Sequence, residues 1–123
     1  MNEPIRVLLV DDHNMVRIGL KAYFSTLDDI QVIGEASTGA EAVRMVGELV
    51  PDVVLMDLKM PGMDGFEATR QIKTRRLARS VVALTIYGDD SAREQAAQVG
   101  VDAFVEKGTS IRALAETIRK FNL

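Results

Sequence analysis

Val53-Val54-Leu55-Met56-Asp57-Leu58-Lys59-Met60-Pro61-Gly62-Met63-Asp64-Gly65 is the stretch whose reading decides the fold. Val53 to Met56 is a short, wholly apolar run. A strand with one wet face alternates apolar and polar residues, so an unbroken aliphatic run reads as a strand covered on both faces. An acid, Asp57, ends the run. Pro61 to Gly65 is turn chemistry, and a helix through about Arg75 follows. A strand covered on both faces that feeds a helix is one unit of a parallel sheet, because crossover helices cover the faces.

The same unit recurs on either side. Ile5 to Val10 reads as a strand, followed by a helix from about Met15 to Ser25 with Val16, Leu20 and Phe24 on one stripe. Gln31 to Ala36 is a second strand. Thr38 and Glu41 have capping-box spacing, and the helix they open runs to about Leu49, where Pro51 stops it. Ser80 to Ile86 is the fourth strand, with Ser91 and Glu94 capping the next helix. Ala103 to Glu106 is the fifth, and Ile111, Leu114, Ala115 and Ile118 mark the buried face of the last helix. Asp28-Asp29 and Arg75-Arg76 read as solvated surface. Five such units with no repeat, low-complexity segment or linker make residues 1–123 one α/β domain, a doubly wound parallel sheet with helices on both faces.

Bulk properties narrow the function. With 123 residues, 47% hydrophobic and 27% charged, the chain is long enough for one core and too apolar for disorder. A net charge of −3 gives no basic patch, so the domain is not expected to bind nucleic acid itself. No apolar run reaches the roughly 18 residues of a membrane span, and the amino terminus lacks a secretory pattern. The absence of cysteine excludes disulfides and thiolate sites and fits a cytoplasmic location. The only histidine, His13, leaves no cluster built on histidine.

Ligands of open α/β sheets bind beyond the carboxyl ends of the strands. The first strand ends in Asp11-Asp12, the third in Asp57, the fourth in Thr85 and the fifth at Lys107. Any one of these alone is more often a cap, a packing residue or a solvated charge. Together they form one set. Three neighbouring carboxylates resist ionisation unless a cation offsets them, and a hard divalent ion such as Mg²⁺ takes oxygen ligands and keeps room for a phosphate oxygen. Asp57 is then a candidate nucleophile toward phosphorus, and Lys107 and Thr85 can neutralise and bind the phosphoryl oxygens.

Val-Leu-Leu-Val-Asp-Asp-His (residues 7–13), the block from Val53 to Glu67, Val-Ala-Leu-Thr-Ile-Tyr (82–87) and Ala-Phe-Val-Glu-Lys-Gly (103–108) resemble the receiver domains of two-component response regulators, in order and spacing over essentially the whole chain. The resemblance implies a flavodoxin-like topology with strand order 2-1-3-4-5. It implies that Asp57 is the phosphoacceptor and that Asp12, Asp57 and the backbone carbonyl of Lys59 bind Mg²⁺, with Mn²⁺ as a substitute and Asp11 acting through water. Thr85 is then the switch hydroxyl, Lys107 the phosphate contact and Phe104 the switch aromatic, while Lys59, Ile86 and Tyr87 modulate access and rate. The implied partners are a sensor histidine kinase or phosphotransfer protein and a second copy of the chain on phosphorylation. Leu-Thr-Ile-Tyr-Gly-Asp-Asp and Lys-Gly-Thr-Ser are similar to receivers joined to LuxR-type helix-turn-helix outputs, so transcription control through a domain outside this chain is expected, and a receiver belonging to a longer regulator is favoured over a stand-alone one.

Two residues depart from the common pattern. Ile86 is bulky where many receivers are small, and Gly108 replaces a proline, which implies a looser loop. An aspartyl-nucleophile phosphatase would place a second acid two residues after the nucleophile, where Lys59 stands. A phosphorylation-independent binding domain would have lost an acid or the lysine, and an FMN binder would carry a phosphate-cradling loop after the first strand. None of these patterns is present.

Overall fold

In the computed structural model, residues 3–60, 64–85 and 90–120 are described. Strands β1 (Ile5–Val10), β2 (Ile30–Ala36), β3 (Val53–Asp57), β4 (Ser80–Thr85) and β5 (Ala103–Glu106) alternate with helices α1 (Asn14–Phe24), α2 (Gly39–Leu49), α3 (Gly65–Thr74), α4 (Asp90–Val99) and α5 (Ile111–Lys120). All pairings are parallel, in the order β2-β1-β3-β4-β5, so the expected topology is the observed one.

Each strand splits its side chains between two cores, as the period of two requires. Leu8, Val10, Val54, Met56, Val81 and Ala83 pack with Ala42, Val46, Phe66, Ile72 and Ala96 from α2, α3 and α4. Val7, Leu9, Val53, Leu55, Val82 and Leu84 pack with Leu20, Phe24, Leu114, Ala115 and Ile118 from α1 and α5. Every residue of β3 is buried, which is why its sequence shows no alternation.

Local chemistry sets the element ends. Thr38 Oγ1 accepts from the Glu41 amide at 3.1 Å, whereas Glu41 Oε1 takes the Ser37 amide at 3.0 Å, one residue before the expected partner. Helix α2 ends in Val50, left-handed at φ 48°, and the Arg6 guanidinium holds the carbonyls of Leu49 and Val50 at 2.8 Å each. Asp64 caps α3 by accepting from the Glu67 amide at 2.9 Å.

Three expectations need correction. Ser91 does not precede α4 but lies in its first turn, after Asp90, where an acid is favoured by the helix dipole. Ile111 opens α5 at 37% exposure, so the buried face of the helix begins at Leu114 and continues through Ala115 and Ile118. Asp29 is exposed but not solely solvated: both its carboxylate oxygens bind Arg119 of α5, at 2.5 and 3.0 Å. The Pro61 to Met63 part of the turn, and the expected end of the fourth strand at Ile86, fall outside the described residues.

Candidate functional site

Parallel strands all point their carboxyl ends at one rim, and parallel pairing brings the chemistry there. Asp11 follows β1, and its amide donates to the Ala36 carbonyl at 3.1 Å, extending the β1–β2 ladder by one step. Asp57 ends β3 opposite Leu84, so Thr85 lies one step beyond it on β4. Lys107 follows β5 and its amide donates to the Thr85 carbonyl at 2.6 Å. Asp11 and Asp57 are each 3% exposed and Thr85 is 1% exposed.

The Lys107 ammonium lies 2.7 Å from Asp11 Oδ2 and 3.5 Å from Asp57 Oδ2. Asp57 Oδ1 accepts from the Lys59 amide at 3.0 Å. Asp11 Oδ1 accepts from the His13 amide at 2.8 Å, and the His13 ring Nδ1 stands 3.0 Å from Asp11 Oδ1 and 3.2 Å from Asp12 Oδ1. Gly108, next to Lys107, has φ 113°, a left-handed conformation that a proline ring forbids. Phe104 is not drawn into this cluster. It sits opposite Ala83, half-buried against the core, with the Arg93 guanidinium 4.6 Å above its ring. Ile86 and Tyr87 lie outside the described residues.

The electrostatics separate the two buried acids. Burial pushes Asp57 up to about 6, aided by the charges of Asp11 and Asp12 and opposed by the Lys59 amide and Lys107. Burial also opposes ionisation of Asp11, but contact with Lys107 and hydrogen bonding from His13 outweigh it and hold Asp11 below the usual carboxylate range. Lys107→Met is therefore expected to cost about 2 kcal/mol near neutral pH, because two buried carboxylates lose their counter-charge. Urea denaturation without metal should show this loss shrinking as the pH falls and Asp57 takes up a proton.

The donor set suits a hard cation. Asp11, Asp12, His13 and Asp57 each present one atom, all within 4.8 Å of one another. Asp12 Oδ1 is buried and, beyond its 3.2 Å contact with the His13 ring, makes no hydrogen bond among the described residues, so it has capacity left for a cation. His13 was legible only as a neighbour of the acidic pair. Arg17 and Glu35, which brace the same loop, were not legible at all, because nothing in their spacing shows that they meet.

The chain belongs to the response regulator receiver domain family, whose profile matches residues 7–119. It is similar to the response regulator protein VraR of Staphylococcus saprophyticus, with 50% identity over 117 residues, covering 95% of this chain and 56% of that protein. VraR of Staphylococcus aureus is 47% identical over 116 residues. The chain thus spans about half the length of these relatives. Among solved structures, a DNA-binding response regulator of the LuxR family from Staphylococcus aureus matches with TM-score 0.90 and 31% identity, covering 97% of this chain and 99% of that one. The response regulator domain of Thermotoga maritima CheB matches equally well, at TM-score 0.90 and 31% identity, covering 98% of each chain. Among the described residues no helix is long and apolar enough to cross a membrane.

Proposed function

We propose that Asp57 accepts a phosphoryl group from the phosphohistidine of a sensor kinase or phosphotransfer protein. The observation that carries this reading is the Lys107 ammonium seated between two buried carboxylates, 2.7 Å from Asp11 and 3.5 Å from Asp57, at the rim where three strands end. An Asp57 carboxylate oxygen attacks phosphorus in line, the new P–O bond forms as the P–N bond breaks, and the departing imidazole takes a proton from solvent.

Asp12, Asp57 and the Lys59 carbonyl would hold Mg²⁺ or Mn²⁺, with Asp11 acting through water. Such an ion supplies charge neutralisation for the carboxylates and one contact to a phosphoryl oxygen. Lys107 offers a second positive contact and the Thr85 hydroxyl a hydrogen bond. The acyl phosphate carries about −1.5 to −2 charge in place of the carboxylate's single charge, and brings new acceptor oxygens to the rim. Thr85 moves toward it, Phe104 turns into the space vacated, and the face of α4, β5 and α5 changes to bind a partner or a second copy. Lys59, Ile86 and Tyr87 tune access and hydrolysis. The domain is a switch and not a turnover enzyme. It acts in the cytoplasm, with residues 1–123 forming the receiver of a regulator whose helix-turn-helix output controls transcription.

Incubation with a kinase phosphorylated on histidine tests this reading. Label is expected to pass to the chain with Mg²⁺, to stay on the kinase in EDTA, and to be absent from Asp57→Ala. Undiminished transfer to Asp57→Ala would overturn it.

A further inference from the structure

Arg17 braces the acidic loop without joining it. It leaves the second turn of α1 with its side chain 14% exposed. Its Nη1 donates to the backbone carbonyl of Asp11, its Nε to Glu35 Oε1 at 3.2 Å, and its Nη2 to Asn14 Oδ1 at 3.1 Å. Glu35 on β2 is gripped a second time by Lys21 Nζ at 2.9 Å, from one turn further along α1. Hydrogen bonding from Lys21, with a smaller contribution from Arg17, outweighs partial burial and keeps Glu35 below its ordinary range, so this anchor stays charged.

A guanidinium is planar, with its donors in a fixed fork, so three partners on three segments leave it little freedom. The Asp11 carbonyl and the Asp12 amide belong to one peptide plane. Fixing that carbonyl fixes the direction in which Asp12 departs from β1. The other side of Asp11 is already tied, since its amide bonds Ala36. Without the Arg17 contact the peptide joining the two acids could rotate. Among the described residues, the side chain touching both carboxylates would then be His13 alone, with Lys107 holding the Asp11 end.

We infer that Arg17, anchored by Glu35, is a positioning residue that sets the affinity of the acidic cluster for a divalent cation by fixing the Asp11–Asp12 peptide. This rests on the reading of Asp11, Asp12 and Asp57 as a cation-holding group. Outer contacts that orient ligands typically change metal affinity tenfold or more.

Mg²⁺ titrated into the whole ¹⁵N-labelled chain, with binding read from amide shifts, tests the inference; melting in EDTA reports the fold separately. The Mg²⁺ dissociation constant is expected to rise about tenfold in Arg17→Gln and a few-fold in Glu35→Gln. Arg17→Lys, which can reach the Asp11 carbonyl but cannot fork to Glu35, should recover part of the loss. Wild-type Mg²⁺ affinity in Arg17→Gln and Glu35→Gln, with only the EDTA melting temperature lowered, would reduce Arg17 to a structural staple and overturn the inference. Should Arg17→Gln not fold, Glu35→Gln decides by the same criterion. An Asp12→Asn control that binds Mg²⁺ as well as wild type would instead overturn the cation reading on which the inference stands.

Discussion

Asp57→Asn is expected to make the chain more stable near neutral pH while removing its capacity to accept a phosphoryl group. The cause is the environment that suits Asp57 to its proposed role. The side chain is 3% exposed and faces two other acids, so its pKa rises to about 6, with burial the chief contributor. An acid whose folded-state pKa lies above its unfolded value binds its proton more tightly in the folded chain. Stability therefore falls as the pH rises from about 4 to about 6 and levels off above that. Keeping Asp57 ionised near neutral pH costs about 3 kcal/mol on this basis. Asparagine presents an oxygen to the Lys59 amide in the same place and carries no charge. In urea denaturation with EDTA, the variant should match wild type near pH 4 within about 1 kcal/mol and exceed it by about 3 kcal/mol near pH 7. Added Mg²⁺ should narrow the gap, because it binds the ionised wild type. A gap of constant size across that range would mean that the Asp57 charge is not its source.

Gly65→Ala should act on the same site with the opposite sign. A Cβ there would stand 2.1 Å from the Asp57 carbonyl oxygen, 2.6 Å from Leu58 Cα and 2.8 Å from the Asp57 carbonyl carbon. All three are backbone atoms of the proposed phosphoacceptor and the residue after it, so no side chain can swing aside. The comparable substitution at Gly34 would meet only the tips of Met45, Leu49 and Leu8, which can yield. Relief at Gly65 requires α3 to move away from β3, loosening the packing of Phe66, Ala68 and Ile72. The expected loss is about 3 kcal/mol or more by chemical denaturation. Phosphorylation of whatever fraction remains folded should slow as well, since displacement of α3 moves the Asp57 carbonyl. Wild-type stability in Gly65→Ala would show that the approach of α3 to β3 is looser than described.

The strands, the helices and the two cores were legible because apolar periodicity is a local signal, whereas the strand order followed from the family resemblance and not from the pattern. Val53 to Met56 announces burial on both faces by having no polar residue to place in water. The acids and the lysine were legible because parallel strands deliver their ends to one rim, so a residue's place along its own strand nearly determines its place in space. The rest depends on contacts between distant segments. Arg17 and Glu35 are 18 residues apart and meet only because β2 lies beside β1. Gly65 looked like turn chemistry, and its closeness to the Asp57 backbone is a matter of helix packing that no motif encodes. Ile111 fits the apolar stripe of α5 but is exposed in the first turn, where the stripe's burial has not yet begun. Ser91 and Glu94 have capping spacing, yet the helix starts one residue earlier.

Everything proposed for this site turns on which side chain receives the phosphoryl group. The most direct measurement is to treat the chain with acetyl phosphate and Mg²⁺, trap the acyl phosphate by borohydride reduction, and locate the resulting homoserine by peptide mass spectrometry. Homoserine at position 57, absent when Mg²⁺ is withheld, is the result predicted. Homoserine at position 11 or 12 with Asp57 intact would contradict the assignment.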